Sequence, residues 1–287
     1  MEVQHEMKKL RNVLLIMLFI ISMGVFAYSL NQVIEIKSSY DAEQRTYDEI
    51  DRIIAAHNEK KNDETPQEES KTNWFEFYAN QKLVVVDRFA YSLQKMNRSA
   101  WQALKNENDD FVGFLWFDND LFKEPIVQTT NNAYYLDHDF HKNYFARGTV
   151  FMNYINKLDD MNLTIYGHNN RYDYTVKFAR LNDMRNDEEM YYQNAHFSVY
   201  FENEIRRYVI CYIFVNKDFK NYNHQFRTLT EDEFNTYFDF VKMKNTVPSI
   251  QEIEYGDNFM TLQTCLRGDG SYKVIAIAKE IGRYSYE

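Results

Sequence analysis

Two side chains that could act together chemically each stand at the end of a strand-like run of the sequence. Cys265 follows the run 261–264 (Thr-Leu-Gln-Thr), and His168 follows the run 163–167 (Leu-Thr-Ile-Tyr-Gly). A thiolate attacks carbonyl carbons, and an imidazole within reach can accept and donate the protons that this reaction moves. If the fold brings the two strand ends together, Cys265 and His168 predict covalent acyl transfer.

Each of these residues also has a plainer interpretation. A single cysteine at a strand end is usually part of the core, and a histidine after Tyr-Gly is usually in a turn, so only the combination carries weight. Cys265 also needs a cationic or dipolar neighbour to become a useful nucleophile. The other cysteine, Cys211, lies inside the apolar run 208–215 and is interpreted as a buried, inert thiol. Two cysteines in a chain of 287 residues do not make a disulfide framework.

The elements that must position Cys265 and His168 are short β-rich runs. With 23 Tyr and 22 Phe, the chain has the aromatic content of a β-rich core rather than of a helical bundle. Eight runs separated by polar residues predict a mainly β domain, either an antiparallel-rich barrel or a sandwich. They cover residues 111–117, 125–128, 149–154, 163–166, 197–201, 206–215, 258–264 and 272–281.

Helical patterns precede and interrupt these runs. Thr230 and Glu233 have the spacing of a capping box, and apolar residues follow at i, i+3, i+4 and i+7 from Phe234, which predicts a helix over 231–244. A less regular helical pattern covers 174–190, and another runs from Trp74 to Met96. We therefore predict helical additions before the β domain and one helix inserted ahead of the cysteine-bearing strand.

The uncharged apolar run 13–30 is the strongest topological signal. At about 1.5 Å per residue, a helix of this length spans close to the roughly 30 Å of a membrane's hydrocarbon core. Lys8, Lys9 and Arg11 precede the run, so the positive-inside rule places the N-terminus in the cytoplasm. A cleavable signal peptide is the alternative, but the run is long for one and no small-residue cleavage site follows promptly.

The chain thus divides into four predicted parts. They are a cytoplasmic tail (1–12), a transmembrane signal-anchor (13–30), a helical stalk with a polar linker (31–73) and an extracellular domain (74–287). Residues 59–71 contain nothing that could be buried and are predicted to be a disordered linker. The net charge of −10, with no basic stripe, argues against nucleic acid as a partner.

Two segments of the chain resemble the signature segments of a known family. Residues 166–170 (Tyr-Gly-His-Asn-Asn) and 261–265 (Thr-Leu-Gln-Thr-Cys) are similar to those of sortases, the membrane-anchored cysteine transpeptidases of Gram-positive bacteria. The resemblance covers roughly residues 74–281 and is to the class B subgroup. Further segments resemble it in order and spacing, namely 110–115, 125–128, 134–140, 148–151 and the helix at 231–244.

The resemblance implies an eight-stranded sortase barrel and an acyl transfer in two steps. The thiol of Cys265 would attack a threonine carbonyl in the C-terminal sorting motif of a secreted protein, an Asn-Pro-x-Thr or similar sequence. His168 would protonate the leaving amine, and an amino group of the cell wall or of a pilin-type protein would resolve the thioester. The family uses no cofactor, and we predict none here.

One position departs from the family pattern. Sortases carry an arginine on the last strand, eight residues after the cysteine, and this chain has Lys273 there. A lysine keeps the charge but loses the planar, multi-donor fork. Arg267, two residues after Cys265, could substitute if the turn at 268–270 folds it back, but the alignment favours Lys273. The departure leaves open a degenerate sortase or a surface-binding module without catalysis, and a hydrolytic cysteine peptidase is a further alternative.

The resemblance also suggests residues that line a substrate groove. Asn132 and Leu136 have the spacing of the asparagine and leucine that line it in class B sortases, with an ordinary loop as the alternative. Gln263 and Leu266 flank the cysteine and would face the same groove. His138 and His141 invite a zinc interpretation, but no third ligand stands at useful spacing, so we predict no metal site.

Overall fold

The computed structural model describes residues 2–58, 95–169, 177–217 and 226–286. The chain divides into two compact units, Met1–Glu49 and Ile50–Glu287. Helix α1 (Glu2–Asn58) supplies the first unit and contributes its last residues to the second. The helix is long and apolar enough to be a candidate membrane span, and the side chains of its apolar window are exposed.

The second unit contains a closed barrel of eight strands. Around the barrel the order is β1-β2-β3-β4-β7-β8-β6-β5, and every neighbouring pair is antiparallel except β2–β3 and β4–β7. Closure confirms the predicted barrel and decides against an open sandwich. The strands are β1 (Phe111–Phe117), β2 (Lys123–Val127), β3 (Phe151–Met152), β4 (Asn162–Tyr166), β5 (His196–Tyr200), β6 (Ile205–Asn216), β7 (Phe259–Leu266) and β8 (Asp269–Tyr284).

Short helices precede the barrel strands or connect them. They are α2 (Arg98–Glu107), α3 (Leu181–Met184), α4 (Glu188–Asn194) and α5 (Glu231–Lys244), with 3₁₀ turns at Tyr134–Leu136 and Lys177–Arg180. The predicted helix before the cysteine-bearing strand is confirmed as α5. Its first turn has a complete capping box, in which Thr230 and Glu233 satisfy each other's backbone N–H groups.

The single helix predicted over 174–190 is wrong for the residues that the structure describes. The segment there is a 3₁₀ turn followed by α3, which ends at Met184, and α4, which begins at Glu188. Asp187 has extended backbone angles, and its side chain accepts a hydrogen bond from the Met190 amide. An aspartate in this role starts a new helix, although apolar residues occur on both sides of it. The predicted linker at 59–71 and most of the helical pattern from Trp74 to Met96 lie outside the described residues.

Among the described residues, two hydrophobic clusters hold the second unit together. The larger one fills the barrel and extends under α5, where Phe234, Tyr237, Phe238 and Val241 are buried against it. The smaller one packs the end of α1 and the apolar face of α2 on β1 and β2. It comprises Ile50, Ile54, Met96, Ala100, Trp101, Leu104, Phe111, Phe114, Val127, Tyr135, Phe140, Phe151, Tyr200 and Ile205.

Two strands of this barrel decide where the chemistry can occur. β4 and β7 are parallel neighbours, with Tyr166 opposite Gln263 at the last paired position. The carboxyl ends of parallel strands lie at the same edge of a sheet, so the residues that follow β4 emerge beside the end of β7. β7 and β8 form a hairpin through the turn at Gly268, whose φ of 87° suits a glycine.

Candidate active site

Cys265 lies near the end of β7 with a cation directly beside its sulfur. In the β7–β8 hairpin it is paired with Lys273, and directly opposite residues of an antiparallel pair place their side chains on the same face. Lys273 Nζ lies 3.0 Å from Cys265 Sγ and donates a second hydrogen bond of 2.9 Å to the Gly270 carbonyl. Cys265 is half-buried. The thiol therefore has the cationic neighbour that a cysteine nucleophile needs.

The parallel pairing of β4 with β7 ends two residues before His168. If the same register continued beyond Tyr166 and Gln263, His168 would stand opposite Cys265. Adjacent strands are about 4.8 Å apart, which is within reach of two side chains. His168 Nε2 makes a 2.8 Å hydrogen bond with the Leu136 carbonyl, so the loop before β3 orients the ring.

Gly167, just before His168, allows a close approach at this edge. A Cβ atom at this position would stand 2.7 Å from the ring of buried Phe178. Any side chain here would push that ring, or the strand end that carries His168, out of place. The glycine of the Tyr-Gly-His segment therefore has a packing reason in this structure.

Asn169 is a site residue whose role the sequence reasoning missed. Its Nδ2 donates a 2.8 Å hydrogen bond to the backbone carbonyl of Cys265, so it ties the segment after β4 to the end of β7. Its Oδ1 is buried and has no hydrogen-bond partner among the described residues. The signal was its position directly after His168 in the segment 166–170.

Arg267, the alternative cation, is held by other groups. It forms an ion pair with Asp183, with Nη1 and Oδ1 2.8 Å apart, and its backbone N–H donates to Asn182 Oδ1 at 3.0 Å. These contacts join the end of the β7–β8 hairpin to α3. Between the two candidates, the structure therefore brings Lys273 to the sulfur and directs Arg267 to Asp183.

The four predicted groove residues have different surroundings. Both amide groups of Asn132 are bonded to the segment after β3, with Nδ2 donating to Asn153 Oδ1 at 3.0 Å and Oδ1 accepting from the Tyr154 amide at 2.9 Å. Leu136 is exposed and adjoins His168 through its carbonyl. Gln263 is buried, and its Oε1 has no partner among the described residues; Leu266 packs against the barrel core. Their contact with a substrate stays a prediction.

The histidines at 138 and 141 take part in local packing. His138 stacks on Tyr134, and its Nδ1 bonds to the Tyr134 carbonyl and to Asp137. Within the part of the chain that the structure describes, no group of three or more His, Cys, Asp or Glu residues is arranged to hold a metal ion.

Comparison with known proteins gives two curated relatives in sequence, although no family model matches the chain. Sortase B of Staphylococcus aureus is 24% identical over 195 residues, which is 66% of this chain and 77% of the relative. Sortase B of Listeria monocytogenes is 27% identical over 173 residues, which is 58% of this chain and 68% of the relative.

The fold agrees with these relatives. A solved structure of a Staphylococcus aureus sortase B–substrate complex superposes with a TM-score of 0.59 at 21% identity, and the match covers 68% of this chain and 90% of that one. Similarity at this level of identity speaks for the fold alone. The sequence relatives and the barrel together support a class B-like sortase, in general terms a transpeptidase of the cell envelope.

Proposed function

We propose that the chain is an extracellular cysteine transpeptidase that cleaves a C-terminal sorting motif after threonine and transfers the acyl group to an amine. The observation that supports it most is the contact of 3.0 Å between Lys273 Nζ and Cys265 Sγ. His168 follows the neighbouring strand β4, and we propose that it meets Cys265 at this edge of the barrel. One of the similar structures is a sortase B bound to its substrate, which supports a sorting-signal peptide as the ligand.

In the first step, Cys265 Sγ attacks the threonine carbonyl as a thiolate. The carbonyl oxygen becomes an oxyanion, and the tetrahedral intermediate collapses when the amine of the following residue leaves. His168 as imidazolium gives that amine its proton, and the thioester on Cys265 remains. In the second step a neutral amine attacks the thioester, His168 takes the amine's proton, and Sγ leaves as thiolate. A positioned acid–base group of this kind contributes about 10²–10⁴ in rate.

Lys273 is the group that we propose for charge stabilisation. An ammonium has three N–H donors, and among the described residues two of them point to Sγ and to the Gly270 carbonyl. The third can donate to the developing oxyanion. Removing one donor of this kind typically costs about 2.7–4 kcal/mol of transition-state stabilisation. We propose Arg267 as an indirect contributor that fixes the end of the hairpin on α3 through Asp183.

We base the proposed location at the membrane on the apolar segment near the N-terminus. Residues 13–30 would anchor the chain as a single-pass type II protein, with 1–12 in the cytoplasm and 31–73 as the spacer to the domain. Tethering would keep the domain close to substrates that are themselves at the membrane. The acceptor would be an amine of peptidoglycan precursor or of a pilin-type protein.

The test is a thioester trap on the full-length chain in detergent. Incubation with a library of Asn-Pro-x-Thr peptides should add the acyl part of a peptide to Cys265, as located by mass spectrometry and removed by hydroxylamine. The adduct should be absent in Cys265→Ala, and it should form much more slowly in His168→Ala. Release of free acid despite excess amine acceptor would identify a hydrolytic peptidase and contradict transpeptidation.

A second function is favoured by the departure at position 273. Without the planar guanidinium of an arginine, the barrel could bind a sorting peptide without cleaving it. The chain would then be a surface-binding module. Peptide binding without any adduct in the wild type, unchanged by Lys273→Arg, would favour this module over the enzyme.

A further inference from the structure

Lysine differs from arginine in a way that matters at this site, because its side chain can become a nucleophile. Lys273 Nζ is a primary amine 3.0 Å from Cys265 Sγ. We propose that Lys273 is a self-modification site: in the absence of an external acceptor, it takes the acyl group from Cys265 and becomes an amide. This inference rests on the thioester proposed above.

The geometry favours transfer between these two side chains. The acyl carbon of a thioester is one bond away from Sγ, and reacting atoms about 3–3.5 Å apart are already close to the geometry of attack. Cys265 and Lys273 are paired on neighbouring strands, and Thr264 and Val274, next to them in sequence, are buried. The hairpin therefore holds the amine beside the thioester. Well-oriented groups of this kind have effective concentrations of about 10⁵–10⁸ M.

Formation of the thioester also changes what Nζ contacts. Before acylation, Nζ donates a hydrogen bond to Cys265 Sγ. A thioester sulfur is a much poorer acceptor than a thiolate, so acylation frees Nζ from this contact beside the acyl carbon. Only the neutral amine has the lone pair that attack requires. The same side chain thus activates the thiol in the first step and competes with the external acceptor in the second.

The reaction balances without a further reagent. The Nζ lone pair attacks the acyl carbon, a C–N bond forms and the C–S bond breaks. Starting from the ammonium, one proton goes to the departing Sγ, one goes to solvent, and one stays on the amide nitrogen. The products are the acylated Lys273 and the free thiol of Cys265. Because an amide is far less reactive than a thioester, the acylated lysine does not return the group to the sulfur.

Two arginine variants provide matched controls. Lys273→Arg keeps the positive charge but replaces the amine by a guanidinium that stays protonated in proteins, so it cannot accept the acyl group. Lys279→Arg makes the same change elsewhere on β8, where Lys279 Nζ is 2.7 Å from Asp257 Oδ2. The first variant should lose self-acylation, and the second should keep it.

The experiment uses two acyl donors on the full-length chain in detergent, without added amine. One donor is an Asn-Pro-x-Thr peptide, and the other is S-phenyl thioacetate, which acylates a reactive thiol without any recognition of a sorting motif. After hydroxylamine removes thioesters, peptide mapping by mass spectrometry locates the acyl groups that remain. We expect a stable acyl group on Lys273 in the wild type and in Lys279→Arg, and its loss in Cys265→Ala and Lys273→Arg.

The outcomes separate this inference from the proposed function. Acylation of Cys265 that hydroxylamine removes completely, with nothing left on Lys273, overturns the transfer and leaves the transpeptidase intact. Stable acetylation of Lys273 by the thioacetate, with no reaction of the peptide, supports the transfer and contradicts the sorting function. Acetylation of Lys273 in Cys265→Ala overturns the route through the thiol.

Discussion

The two cysteines of this chain are both on barrel strands, yet their surroundings are opposite. Cys265 is half-buried and has Lys273 Nζ at 3.0 Å. Cys211 is fully buried on β6, and its Sγ donates only a weak hydrogen bond of 3.4 Å to the Val209 carbonyl. Burial raises the pKa of Cys211 to about 12, so this thiol stays protonated at neutral pH. Position in the barrel, rather than residue type, makes the surroundings of the two sulfurs different, and we propose Cys265 as the one that reacts.

The largest expected effect comes from exchanging each cysteine in turn. Cys265→Ala should reduce transpeptidation by roughly 10⁶-fold, the size seen when a covalent nucleophile is removed, because no thioester can form. Cys211→Ala should leave turnover unchanged and lower only the stability of the barrel, since it creates a small void. Assays with purified variants check both. A loss of turnover in a folded Cys211→Ala variant would contradict the contrast between the two thiols.

The second prediction concerns the intrinsic reactivity of the two thiols. With iodoacetamide at neutral pH, Cys265 should be alkylated at least about 10³-fold faster than Cys211, because Cys211 reacts only when the barrel opens. Quantitative mass spectrometry of the two peptides over time measures the ratio. In denaturant the rates should converge. Comparable rates in the native chain would show that Cys211 is accessible, against its burial in the structure.

Lys273 should account for part of the difference in reactivity between Cys265 and Cys211. Lys273→Met removes the cation with little change in length, and we expect thioester formation to fall by about 10²–10³ because the oxyanion loses a donor. Single-turnover kinetics of peptide acylation measures this step separately from the later transfer. Lys279→Met on the same strand is the control, and its rate should be that of the wild type.

The smallest expected effect is on the unfolding free energy and concerns His196, which is buried near Cys211. His196 pairs with Val209, two residues before Cys211, and burial followed by repulsion from Arg207 lowers its pKa to about 3. Below pH 6.5 this histidine is protonated in the unfolded chain but stays neutral in the folded chain. The unfolding free energy therefore falls as the pH decreases from about 6.5 to about 3.

From pH 7 to pH 5 this coupling should cost the wild type about 2 kcal/mol of unfolding free energy, at 1.36 kcal/mol per pKa unit. His196→Gln has no group that titrates in this range and should lack that part of the pH dependence. Urea unfolding of both proteins at the two pH values gives the comparison. Identical pH dependence in the two would mean that His196 accepts its proton in the folded barrel.

Much of the fold was predictable because it depends on local patterns. The eight strand runs match β1–β8 within a few residues, and the capping box marks the start of α5. Prediction failed over 174–190, where Asp187 begins a separate helix although apolar residues continue on both sides. Spacing of apolar residues reports which side of a segment is buried, but not where a polar side chain interrupts the backbone hydrogen bonds.

The site was predictable only in part. Cys265 and His168 stand out by their positions at strand ends, whereas the bond from Asn169 to the Cys265 carbonyl depends on β4 and β7 being neighbours. The choice between the two cations depends likewise on the hairpin register, which sets Lys273 opposite Cys265 and leaves Arg267 in the turn, where it reaches Asp183. Counting residues from Cys265 favours Lys273, but only the register shows which cation contacts the sulfur.

The amino-acid order alone determined the β-rich class, the apolar N-terminal segment and the helix at 231–244, because each depends on composition or short-range spacing. It also made Cys265 and His168 the candidates for covalent chemistry. The parallel contact between β4 and β7 and the distance of 3.0 Å between Lys273 Nζ and Cys265 Sγ came only with the tertiary structure, which also decided between a barrel and a sandwich. The physical reason is that strand pairing joins residues that are distant in the chain, and the register of that pairing decides which of them touch.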